Sequence, residues 1–104
     1  MQHTKTPWRV GKPTGMGAVV ADEAVPEIKG SDCVDYYGGH LIAESIAPRN
    51  AEFIVRACNA HDQLVHTVTM IRDADNDAES DGLQRIPASA RAAIDAALAA
   101  AGAA

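Results

Sequence analysis

Residues Tyr36 to Val65, reading YYGGHLIAESIAPRNAEFIVRACNAHDQLV, set an apolar strand signal directly against a proline-led helix signal. No other stretch combines strong periodicity with clear start signals, so this junction organises the fold. His40 to Ile46 (HLIAESI) reads as a strand. Gly38 and Gly39 tolerate positive φ and suit a tight reversal, so Cys33 to Tyr37 is expected as the preceding strand of a hairpin. Pro48 suits the first helical turn, where a missing N–H costs little, with Asn50 as the alternative cap. From there Ile54, Ala57, Cys58, His61, Leu64, Val65, Val68 and Ile71 recur at spacings of three and four. Arg56, Asn59, Gln63 and His66 fall on the other side, giving an amphipathic helix of about 20 residues or slightly more. That helix is expected to lie across the sheet and supply most of the core.

The flanks add smaller elements. Trp8 to Val10 is a short strand, GKPTGMG a turn-rich run, and Ala18 to Ala21 (AVVA) a buried strand. Pro26 and Gly30 bracket a weak extended piece, and residues 1–7 form a loose lead-in. Residues 73–86, opening with DADNDAESDG, are too polar to pack and are expected as an exposed acidic linker. Residues 87–101, opened by Pro87, form an alanine-rich C-terminal helix whose last residues fray. The predicted fold is one α+β domain over 1–104. It has a small antiparallel β-sheet of three to five short strands, one long amphipathic helix, and the C-terminal helix.

Composition limits the core. Ala supplies 21 residues, while Leu, Ile, Val and Phe together supply 20 of 104. A core that thin favours burial against a partner, so a homo-oligomer is expected. The formal charge of −5 argues against general nucleic-acid affinity, although Lys5, Arg9 and Lys12 precede the first acid, Asp22. The chain shows no apolar leader and no span-length apolar run, which predicts a cytoplasmic protein with no membrane partner and reduced Cys33 and Cys58.

Candidate catalytic and metal sites fail on their chemistry. As a calcium loop starting at Asp73, the acidic run has Asp75 and Asp77 in place. Ala78 stands where the turn needs Gly, and Gln84 where a bidentate Glu is required. His61 and His66 lie about 140° apart on a helix, and Cys58 with His61 offers half a zinc site. A cysteine on an apolar helix face is packed and inert rather than nucleophilic. Gly15-Met16-Gly17 lacks the third glycine of a dinucleotide fingerprint, and Lys12 precedes the glycines instead of following them. No cofactor, metal site or catalytic set is expected, and the chain is read as a non-enzyme. What remains is an aromatic and cationic set: Trp8, Arg9, Tyr36, Tyr37, His40 and Arg56. Its rings and donors suit stacking on and pinning a small anionic ligand, while Trp8 reads first as a core filler.

Thr6-Pro7-Trp8, His40 to Ala43 and Asn50 to Val65 together resemble a widespread set of short phage and prophage accessory proteins. Their pattern is TPW-x-V, a short β region, H/R-L-I-A, then NA-x-x-I-x-x-A with an apolar helix. The resemblance covers about half the chain and implies a bacterial host cell as the setting. It implies a non-catalytic anti-defence protein, with two alternatives. One is a sponge sequestering a nucleotide-derived immune signal through Trp8, Arg9, Tyr36, Tyr37, His40 and Arg56. The other is an anti-CRISPR-like inhibitor docking on a host defence protein, with the acidic Asp73 to Asp81 segment against a basic channel. An enzyme degrading the signal is the weakest reading, since no base, nucleophile or metal set supports it.

Overall fold

The computed structural model describes residues 2–15, 17–29 and 31–103. Met16 and Gly30, assigned to turn or extended pieces above, and the terminal Ala104 lie outside the described residues. The chain divides into two compact units, Met1–Ala60 and His61–Ala104.

The first unit is α+β. Strands β1 (Trp8–Val10), β2 (Val19–Ala21) and β3 (His40–Ala43) form an antiparallel sheet in the order β1-β2-β3. Trp8 pairs with Ala21 and Arg9 with Val20, while Val20 pairs with Leu41. The step from Val19↔Ala43 to Val20↔Leu41 leaves Ile42 as an extra residue in β3, a bulge that bends the edge. The AVVA run is the central strand, and Ala18 to Ala21 are all fully buried. Ala18, Val20 and Leu41 form the core, with Ile28 and Tyr37 packed against it.

Two expectations change here. Val34–Tyr37 is not a hairpin strand but one turn of helix, α1, closed by the Gly38 N–H to Val34 carbonyl bond at 2.7 Å. Gly38 sits at φ 86° as the left-handed cap of that turn, so the glycine pair ends a helix rather than reversing a strand. The stretch from Val25 to Ser31 is likewise a pair of turns, with Ile28 N–H donating to the Val25 carbonyl and Ser31 N–H to the Ile28 carbonyl, both at 3.1 Å.

Helix α2 (Pro48–Ser80) begins at the proline and runs 33 residues, well beyond the predicted length. Of its apolar residues only Ala51 is fully buried in the first unit. The core therefore centres on β2, and α2 does not supply most of it.

The second unit pairs the rest of α2 with α3 (Ala88–Ala100). The acidic run is not a linker. It forms the last turns of α2, which stop at Gly82 (φ 70°) with Leu83 N–H on the Ala78 carbonyl and Gly82 N–H on the Glu79 carbonyl. A calcium loop starting at Asp73 is thereby ruled out, because its first eight positions are helical. Leu98, 1% exposed, is the fully buried apolar side chain of α3.

Candidate functional site

Of the six predicted site residues, four gather around α1. Arg9 leaves β1 and donates from Nη2 to the Gly38 carbonyl at 2.9 Å, while Nη1 pairs with Asp22. Lys12 donates from Nζ to the Asp35 carbonyl at 3.0 Å and from its backbone N–H to the Tyr37 carbonyl at 2.8 Å. The Thr14 hydroxyl donates to the Tyr36 carbonyl. Four consecutive carbonyls, from Asp35 to Gly38, thus meet donors from the segment Arg9 to Thr14. The chain approaches so closely that a Cβ on Gly11 would collide with the Tyr37 carbonyl. One helical turn is too short to hold itself, and this set of outside donors explains why VDYY is helical.

Tyr36 and Tyr37 stand edge to face, ring centroids 4.8 Å apart. Tyr37 packs against the core. Hydrogen bonding to the Glu44 carboxylate pushes its phenol above the ordinary value, and burial adds to that. Tyr36 is 52% exposed and presents its ring to solvent. His40 opens β3 with Nδ1 buried, 3.5 Å from Asp32 Oδ1, within ion-pair range but without a hydrogen bond.

Trp8 and Arg56 belong to a different contact. Successive side chains leave a strand on opposite faces, so Trp8 points away from Arg9. Its backbone N–H donates to Asn59 Oδ1 at 2.6 Å, and its carbonyl accepts from Asn59 Nδ2 at 2.7 Å. The Asn59 amide copies the donor–acceptor pair of a neighbouring strand and fastens α2 to the free edge of β1. The indole N–H donates to the Thr4 carbonyl at 3.2 Å, with His3 edge-on. Trp8 is therefore the anchored packing residue anticipated for it. Arg56 lies one turn before Asn59 on α2 and is exposed.

The second unit holds a polar cluster that the sequence reading missed. Asp75, 3% exposed, accepts from Arg85 Nη2 at 2.8 Å, Arg91 Nη1 at 2.7 Å and the Ile86 N–H at 3.0 Å. Arg85 also reaches Glu79 at 3.0 Å, and Arg91 reaches Asn76 at 2.8 Å and Asp95 at 3.1 Å. The Arg85 guanidinium, with Arg91 and the Ile86 N–H, holds the Asp75 carboxyl well below the usual carboxylate range; the same contacts raise both arginines. An acidic block followed by Arg85 and Arg91 was the available signal. It identified a charge partner within the chain rather than outside it.

Two surface hollows lie away from the tyrosines. One, about 350 Å³, is lined by Arg85, Ile86, Ala88, Arg91, Ala92 and Asp95; the other, about 210 Å³, by residues from Lys5 to Pro7 with Asp22 and Glu23. In the first, both guanidiniums are already engaged by carboxylates. Among the described residues no group of three or more His, Cys, Asp and Glu is placed to hold a metal ion, and no helix is long and apolar enough to cross a membrane. No known protein family, curated protein or solved structure matches the chain.

Proposed function

We propose that the chain is a non-catalytic binding protein that sequesters a nucleotide-like ligand, acting as an anti-defence sponge in the bacterial cytoplasm. The observation that carries the reading is Tyr36. Its half-exposed ring is held edge-on by Tyr37, on a turn braced from below by Arg9, Lys12 and Thr14. A rigid ring with an open face is a stacking platform for a base, and the two cations beside it favour attached phosphates. The docking alternative loses its main support, since Asp73, Asp75 and Glu79 are paired with Arg72, Arg85 and Arg91 of the same chain.

The test is native mass spectrometry with a mixture of cyclic mono- and dinucleotides. The expected result is a bound mass that is released intact on denaturation and that Tyr36→Ala weakens about tenfold or more. Tyr37→Ala is a poor probe because Tyr37 packs on the core. A degraded product would make the protein an enzyme. An empty protein across the whole mixture would move the reading to the docking inhibitor.

A further inference from the structure

Phe53, Ala57, Ala60, Leu64, Thr67 and Ile71 alternate at spacings of four and three along α2, the pattern of a heptad seam. On a helical wheel they fall within an arc of about 80°. Yet this stripe is not used within the chain: Phe53 is 66%, Leu64 62% and Ile71 44% exposed. Large apolar residues lined up on one face and left in water mark a contact surface.

We infer that this stripe is the seam of an antiparallel homodimer, its occupant the same stripe of a second copy. The spacing is self-complementary. A twofold axis beside Asp62 sets Phe53 of one copy against Ile71 of the other, Ala57 against Thr67, and Ala60 against Leu64. Small residues face small or large ones, and the two largest meet at each end, so the helices approach closely at the centre without a clash. Charge selects the orientation. The start of α2 carries the exposed Arg49 and Arg56 beside the stripe, and its end carries the exposed Asp77 on the same flank. Antiparallel pairing brings Arg49 of one copy to Asp77 of the other at both ends of the seam. Parallel pairing would stack the acidic ends of the two helices against each other, which like charges oppose. A second copy also answers the shortage of large apolar residues, because the seam buries residues that the monomer leaves wet. The inference does not depend on ligand binding, since neither Tyr36 nor Arg9 lies on the stripe.

Sedimentation equilibrium of the full chain at micromolar concentration tests it. The expected mass is twice 10.9 kDa, falling to 10.9 kDa in Leu64→Glu and in Phe53→Glu while helical circular dichroism stays unchanged. A wild-type chain that is monomeric throughout that range, or a dimer that survives both substitutions, overturns the seam. Orientation is read by cross-linking after Cys33→Ser and Cys58→Ser. Positions 53 and 71 lie about 27 Å apart along one helix, so they cannot join within a chain. The Phe53→Cys/Ile71→Cys pair is expected to give a covalent dimer and Phe53→Cys alone none. The reverse result overturns the antiparallel arrangement. Arg49→Asp should weaken the dimer and Arg49→Asp/Asp77→Arg restore it; a dimer indifferent to both substitutions overturns the charge pairing.

Discussion

The two units solve the same shortage of large apolar residues in opposite ways. The first buries a continuous run, Ala18 to Ala21, at the centre of a sheet and closes the backbone around it with side-chain donors from Arg9, Lys12 and Thr14. The second joins two helices through one fully buried leucine, Leu98, and one buried carboxylate, Asp75, with two arginines. In the first, stability is spread over many small contacts. In the second it is concentrated in two side chains, and concentrated stability is easier to remove.

The largest effect is therefore expected from Leu98→Ala. Truncating a fully buried leucine costs about 2–5 kcal/mol, and no second large apolar residue of α3 is there to absorb the loss. Urea denaturation followed by amide exchange should show α3 losing protection while β2 keeps it; equal loss in both units would break the contrast.

Acid should separate the units next. Asp75 has its folded pKa lowered, so the stability it contributes is present above the unfolded value near 3.8 and is lost as pH falls through the folded one. Amides of α3 should lose protection as pH drops from about 5 to about 2, ahead of those in β2. Asp75→Asn should lower stability at neutral pH and flatten that dependence; a variant with an unaltered acid profile would show that the cluster is ornamental.

Asn59→Ala should have the smallest effect. It removes two hydrogen bonds to Trp8 at an exposed site, worth about 1 kcal/mol in total. The sharper readout is local: faster exchange of the Trp8 amide with the core unchanged. If the whole sheet opens instead, the first unit is less distributed than its contacts imply.

How much was legible follows the same division. The buried AVVA strand, the strand at His40, the proline start of α2 and the C-terminal helix all follow from local composition and spacing. The α1 turn was not legible, because VDYY has strand-like residues and becomes helical only when Arg9, Lys12 and Thr14 arrive from another segment. The end of α2 was hidden for a related reason. Acidic residues at a helix C-terminus oppose the helix dipole, and only the later Arg85 and Arg91 reverse the balance. Within the candidate site, the residue types were readable but their grouping was not. Nothing local says that Trp8 and Arg9 face different neighbours, or that Asn59, on the polar side of α2, is the fastening for β1.

That fastening has a consequence for how the protein behaves in a crowded cell. A short strand at the margin of a sheet invites another chain to add itself, and repeated addition ends in fibres. Here the outward peptide groups of Trp8 are already occupied by a side-chain amide, on a strand only three residues long. At that margin the sheet gives an incoming strand almost nothing to copy, so the protein can accumulate without seeding its own polymerisation.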